Sequence, residues 1–259
     1  MHFAALSTVA ESVEQPGRYY RDNLCGTLGL LEAMRAAGVK RLVFSSTAAV
    51  YGEPEEVPVT EEAPTAPTNP HGGSKPAADH LIGYEAVAHG LAAVSLRCSS
   101  RARAAGSATP TPQAPRSSRR PSGSPRGEGM RWRSLGRNTR RRTARPCATL
   151  STSRTSRVHL LALEAAEEGK PKIYNVGNGA GFTVNEVVET ARRVTKKSIK
   201  AARSPRRPGG PAVVVSSNGK IQAELGRKPE KPDLETMISD AWNWIQLNSH
   251  EYVPRSTRD

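Results

Sequence analysis

Lys40-Arg41-Leu42-Val43-Phe44-Ser45-Ser46-Thr47-Ala48-Ala49-Val50-Tyr51-Gly52 is the stretch on which the fold turns. Val39 to Ser46 reads as a strand, with apolar Leu42-Val43-Phe44 running into a cluster of hydroxyl residues. Before it, Tyr19 to Ala37 places Leu24, Leu28, Leu31 and Met34 at helical spacing, and Gly38 stops that helix. His2 to Ala5 reads as a short strand. After it come a Pro-rich loop from Glu53 to Pro70, a helix from about Pro70 to His89, and a strand from Ala92 to Arg97. Strands alternating with helices predict an α/β fold with a parallel sheet, here part of a Rossmann-type doubly wound sheet.

Regular patterning returns after Val158. His159 to Glu168 reads as a helix and Lys172 to Val176 as a strand. Thr183 and Glu186 form a capping box that opens an amphipathic helix through Val194. A basic Pro/Gly loop spans Arg203 to Pro211, and a helix from Leu234 to Leu247 carries Trp242 and Trp244. The expected organisation is residues 1–98 as the C-terminal half of the doubly wound domain, an Arg/Ser/Pro-rich segment over 99–157, the rest of that domain with a smaller C-terminal substrate domain over 158–248, and a tail over 249–259.

The formal charge of +14 would ordinarily point to nucleic acid or an anionic membrane surface. Its distribution argues otherwise. Of 38 basic and 24 acidic residues, 15 Arg and a single acid, Glu128, fall between Arg101 and Arg157, which leaves 23 of each sign elsewhere. Cys25, Cys98 and Cys147 are odd in number and widely spaced, which fits a reducing cytosol better than a disulfide framework and implies no metal site. No apolar run approaches the roughly 18 residues of a membrane span, and nothing resembles a signal peptide. The chain is therefore expected to be soluble and cytoplasmic, without a membrane partner.

Four segments, in order and at matching spacing, resemble one family: His2-Phe3-Ala4-Ala5, Asn23-Leu24-Cys25-Gly26-Thr27, Phe44 through Gly52, and Asn69-Pro70-His71-Gly72-Gly73-Ser74-Lys75. Each alone has an ordinary structural reading, such as a buried strand end, strand-end polar residues or a solvated helix lysine. Together they resemble the extended short-chain dehydrogenases, specifically the UDP-glucose 4-epimerase type. The likeness runs from residue 1 to about Arg97 and resumes from about Val158 to about Leu247.

The resemblance implies epimerisation at C4 of a UDP-hexose, with UDP-glucose and UDP-galactose as the substrate pair and NAD as cofactor. In the family a hydride passes from C4 to NAD while a tyrosine phenolate accepts the 4-hydroxyl proton; the 4-keto sugar rotates and takes the hydride back on its other face. A lysine one helical turn after the tyrosine lowers the phenol's pKa and holds the nicotinamide ribose. By resemblance Thr47 bonds the reacting oxygen and so touches the substrate, and Lys75 is the lysine. Phe3, Ala4, Ala5, Asn23, Ser45, Ser46 and Lys75 face the cofactor. The tyrosine position is His71. Imidazole has shorter reach than a phenol and cannot supply a phenolate, so the expectation for the chain is lost or negligible turnover. Pro76 adds a second concern, since a proline inside a helix costs about 3 kcal/mol.

Tyr174-Asn175-Val176-Gly177-Asn178-Gly179 resembles the family's strand and turn before the capped helix. Arg206-Arg207-Pro208-Gly209-Gly210 resembles its Arg-Arg-x-Gly-Asp loop, with Gly210 where the Asp stands. Arg207 would clamp the sugar-nucleotide diphosphate by charge-assisted bonds; for Arg206 an exposed basic loop is the other reading. Related 4,6-dehydratases carry an Asp-Glu pair after the Ser/Thr, where this chain has Ala48-Ala49, and this favours epimerase. A homodimer is expected by the same resemblance.

Beyond His71 and Gly210, two further departures qualify the resemblance. No Gly-rich dinucleotide turn with a following acid occurs in the sequence; the resemblance places residue 1 near the family's fourth strand, so NAD binding is expected to be weak or nil. The second is the segment between Arg101 and Arg157. The family stretch Tyr-Pro-Thr-Pro-Asp-Gly-Thr, written TAC CCG ACG CCG GAC GGC ACC and read one base later, gives the residues of Thr139-Arg140-Arg141-Arg142-Thr143-Ala144. A second stretch treated likewise differs from Cys147 to Ser156 only at Leu150. Epimerase-type DNA translated out of frame and left unfolded is one reading. A disordered Arg-rich arm that binds nucleic acid, or an inert fragment, is the other.

Overall fold

The computed structural model describes residues 1–99, 131–135, 147–148, 157–177, 179, 181–204, 213–227 and 233–247. In chain order the elements are α1 (Val9–Glu14), α2 (Pro16–Tyr20), a π-helical turn (Arg21–Cys25), α3 (Gly26–Ala36), β1 (Arg41–Thr47), a 3₁₀ turn (Ala48–Tyr51), α4 (Pro70–His89), β2 (Ala92–Cys98), β3 (Arg131–Leu135), β4 (Cys147–Ala148), α5 (Arg157–Glu164), β5 (Lys172–Val176), β6 (Phe182–Thr183), α6 (Val184–Thr195), β7 (Lys200–Ser204), β8 (Val213–Val214), α7 (Gly219–Leu225) and α8 (Leu234–Leu247).

A three-stranded parallel sheet in the order β1-β2-β5 forms the centre. Its register pairs Ser46 with Arg97 and Arg97 with Asn175, so all three strands end together. Both faces are covered. Leu42, Phe44 and Ala93 pack with Leu31 and Met34 of α3 and Ala78, Ile82 and Ala86 of α4. Val43, Val94, Leu96, Tyr174 and Val176 pack on the other face with Val158 and Ala162 of α5 and Ile221 of α7. Every residue of β2 is buried, Ser95 and Arg97 included, as a strand covered on both faces requires. β3 pairs with β7, and β4 lies between β6 and β8. The rest of the 99–157 segment and the 249–259 tail lie outside the described residues.

Helix α4 has the boundaries its sequence predicts. The Asn69 side chain caps it by accepting from the Gly72 N–H at 2.8 Å, Pro70 occupies the first turn, and Gly90 at φ 68° closes it. Pro76 is buried in an unbroken helix of 20 residues. The missing donor leaves the Gly72 carbonyl without its helical partner, and the apolar face of Ala78, Ile82 and Ala86 offsets that loss by packing on β1 and β2. The capping box at α6 is present, with Thr183 N–H donating to Glu186 at 2.7 Å and Glu186 N–H to Thr183 at 3.2 Å.

Three boundaries differ from expectation, one being the helix expected over His159 to Glu168, which runs over Arg157–Glu164 and gives way to an antiparallel bridge between Glu167 and Lys170. The strand over His2 to Ala5 contracts to one bridge, in which His2 N–H donates to Val43 O and Ser45 N–H to His2 O. Beyond it the chain leaves the sheet, because the Asn23 side chain takes both backbone groups of Leu6. The helix from Tyr19 to Ala37 is helical over that span but opens into the π turn at Arg21–Cys25, the turn that carries buried Asn23.

Candidate functional site

Polar side chains that cannot enter a sheet buried on both faces collect at its strand ends. At the C-terminal end of β1, Thr47 is extended, and its hydroxyl accepts from Ala49 N–H at 3.2 Å, which starts the 3₁₀ turn. The turn brings the Ala49 carbonyl against the first turn of α4: a Cβ on Gly72 would stand 2.7 Å from that oxygen, so glycine is what lets helix and turn meet.

Spacing of four along α4 then sets His71, Lys75 and Asp79 on one helix face. Lys75 is 4% exposed, and its Nζ donates to the Ser45 carbonyl at 3.0 Å and lies 4.4 Å from the centre of the Phe44 ring. Burial pushes its pKa down to about 8, opposed by the charges of Asp79 and Cys98. His71 is 7% exposed, its Nδ1 has no hydrogen-bond partner among the described residues, and the Tyr19 ring meets it edge-on at 6.3 Å. Burial first and the Lys75 charge second push the imidazole down to about 4, with a backbone contact at Leu6 opposing. At neutral pH the site therefore holds a neutral imidazole one turn from a buried ammonium.

Asn23, from the π turn, anchors the segment before α1: its Oδ1 accepts from Leu6 N–H at 2.8 Å and its Nδ2 donates to Leu6 O at 3.1 Å and to Ser74 Oγ at 3.0 Å. His2 stacks on Phe44 at 5.5 Å and bonds Thr27 at 3.1 Å. Phe3 is 51% exposed with its ring 4.7 Å from that of His159; Ala4 is exposed and Ala5 half-buried. Ser45, Ser46, Thr47, His71, Lys75 and Asn23 thus converge, with Phe3 to Ala5 on the open side. Arg207 lies outside the described residues. No cluster of three or more metal-ligating side chains occurs among the described residues.

Beneath these residues lies a second polar layer that the sequence motifs do not reveal. Ser46 Oγ donates to Asp79 Oδ2 at 3.1 Å, Arg97 Nε reaches the same oxygen at 3.4 Å, and Arg97 Nη1 donates to Tyr51 Oη at 2.9 Å. Tyr51 Oη in turn donates to Asn175 Oδ1 at 2.8 Å. The available signals were the position of Asp79 four residues after Lys75 and the presence of Tyr51 and Asn175 inside motifs already singled out.

Residues 1–118 match the family model described as GDP-mannose 4,6 dehydratase. The UDP-glucose 4-epimerase of Streptomyces lividans is 46% identical over 257 residues, covering 98% of this chain and 78% of that protein. The UDP-glucose 4-epimerase of Corynebacterium glutamicum is 43% identical over 245 residues, covering 93% and 74%. Among solved structures, the UDP-glucose 4-epimerase from Bifidobacterium longum in complex with NAD+ and UDP is similar with a TM-score of 0.82 at 30% identity, covering 97% of this chain and 77% of that one.

The buried imidazole has a stability signature. Its folded-state pKa lies below the ordinary 6.5, so the unfolded chain takes up the proton first as pH falls. His71 therefore adds a loss of stability as pH drops from about 6.5 to about 4, of about 3 kcal/mol in total. Urea unfolding at pH 7 and pH 4.5 is expected to show a larger loss for the native chain than for His71→Gln; equal losses would contradict the assignment.

Proposed function

Since the chain belongs to the UDP-glucose 4-epimerase family, we propose that its site is built for NAD-dependent inversion at C4 of a UDP-hexose, UDP-glucose or UDP-galactose, through a 4-keto sugar. We propose also that with His71 in the tyrosine place the chain turns over at no useful rate. The observation that carries the first statement is the Lys75 ammonium buried against the Ser45 carbonyl at 3.0 Å, one turn after His71 and beside the strand end that presents Thr47.

The residues present fit the nicotinamide-ribose end of the cofactor. The buried Lys75 offers donors to ribose hydroxyls, Ser45 and Ser46 close the strand end, and the exposed Ala4 beside Phe3 and Ala5 leaves room for a close approach. Asn23 holds that segment in place. NAD, when bound, supplies the hydride acceptor. Thr47 would donate to the oxygen at C4, and Arg207 would bind the diphosphate. His71 is the group left to take the C4 hydroxyl proton. Its neutral imidazole has the unpartnered Nδ1 as an acceptor, but a site that holds its pKa near 4 makes it a weak base at neutral pH. A tyrosine here would gain from the same Lys75 charge that works against an imidazolium.

Ala48 and Ala49 favour epimerase over dehydratase, because neither offers the carboxyl that elimination of water requires. Ala48 is buried, and the Ala49 N–H is committed to Thr47. Homodimer formation belongs to the same proposal, supported by Tyr84 and Val87, 75% and 73% exposed on α4. No helix among the described residues is long and apolar enough to cross a membrane, and a cytoplasmic location is proposed with the function. The 99–157 segment is proposed to be epimerase-type coding sequence read out of frame; shifting the reading frame of its DNA by one base is expected to restore a family-like stretch ending near codon 157, and a shifted frame without family likeness would contradict this.

Purified chain supplied with NAD and UDP-galactose is expected to form no detectable UDP-glucose in an assay coupled to UDP-glucose dehydrogenase. Conversion above the protein-free blank would overturn the proposed loss and assign His71 a working role.

A further inference from the structure

Lys75 occupies a place where burial works against its charge. An ammonium removed from water is costly unless something fixed and anionic faces it. Its neighbours can be named from every side: the Ser45 carbonyl and Phe44 ring from β1, Cys98 from β2, His2 from the N-terminal segment, and His71 and Asp79 from α4 itself. The carboxylate among them is Asp79, four residues along the same helix.

Asp79 is itself fully buried as a side chain. A carboxyl in such a place neutralises unless it is paired, and burial pushes its pKa up. Against this stand Arg97 Nε at 3.4 Å, the Ser46 hydroxyl at 3.1 Å and the Ser95 hydroxyl, all of which favour the ionised form. Arg97 is fixed in its turn by Tyr51, and Tyr51 by Asn175, whose Nδ2 donates to Val59 O at 3.1 Å and whose backbone N–H donates to Glu61 at 2.6 Å. This chain of bonds crosses β1, β2 and β5 at the register where Ser46, Arg97 and Asn175 stand side by side. It also ties α4 to β1 twice, through Lys75 to Ser45 and through Asp79 to Ser46.

We propose that Asp79, locked by Arg97 and Ser46, is a positioning residue for Lys75 that holds its ammonium charged and seated at the C-terminal end of β1. The proposal rests on the reading of Lys75 as the site lysine. It requires no further group: Asp79 touches neither sugar nor cofactor and acts on the chemistry only through Lys75.

The test is a titration of Lys75 in the full chain without cofactor or sugar, by NMR of lysine labelled with ¹³C at Cε, the resonance being identified by its absence in Lys75→Met. Asp79→Asn is expected to lower the Lys75 midpoint by about one pH unit, the scale of a lost neighbouring opposite charge, and Asp79→Glu to hold it near the native value. The native chain provides a second readout that needs no variant to fold: Lys75 Cε should show a further inflection on the acid side where Asp79 takes up its proton. An unchanged midpoint in folded Asp79→Asn, or the absence of the acid inflection, would overturn the proposal. Because neither readout involves cofactor, sugar or turnover, failure of this proposal and failure of the epimerase reading are separate results.

Discussion

A sheet covered on both faces constrains everything else in this molecule. β1 and β2 have α3 and α4 on one side and α5 and α7 on the other, so their side chains must be apolar along most of their length, and polar chemistry is confined to the strand ends. α4 closes that end. It lies on Leu42 and Phe44 through Ala78, Ile82 and Ala86, and the same packing carries Lys75 and Asp79 down onto Ser45 and Ser46. The site follows from where α4 must sit to bury its apolar face.

The consequence is a stack of two polar layers with different duties. The upper one, Thr47, His71 and Lys75, is imperfectly satisfied: a hydroxyl committed to a turn, an imidazole nitrogen with no partner, an ammonium with a carbonyl and an aromatic ring. The lower one, Ser46, Asp79, Arg97, Tyr51 and Asn175, is linked bond by bond. Both layers keep one unpartnered buried atom among the described residues, His71 Nδ1 above and Asp79 Oδ1 below, but the lower is tied across three strands while the upper keeps groups free for a ligand, since buried polar groups elsewhere in proteins are paired.

Much of this was legible from the residues. Asn69, Pro70 and Gly90 mark the ends of α4 through local capping chemistry, and Thr183 with Glu186 does the same for α6. Lys75 and His71 were legible through their spacing and through family likeness. What escaped was non-local. The single bridge at His2 depends on Asn23 taking the Leu6 backbone 17 residues away in sequence, and no periodicity reports that. Asp79 looks like a surface acid in a helix until Arg97 from β2 is laid beside it. The persistence of α4 through Pro76 depends likewise on packing that local propensity does not encode.

Lys75 stands where it does for chemistry and against stability. Its pKa of about 8 in the folded chain, against 10.5 for the free side chain, corresponds to about 3 kcal/mol disfavouring the charged form. Replacing it with methionine, of similar length and without charge, removes that penalty. The direct measurement is the urea unfolding free energy of Lys75→Met at pH 7. A value equal to or above that of the native chain is expected; a fall of about 2 kcal/mol or more, on the scale of a lost structural contact, would make Lys75 a structural pin instead.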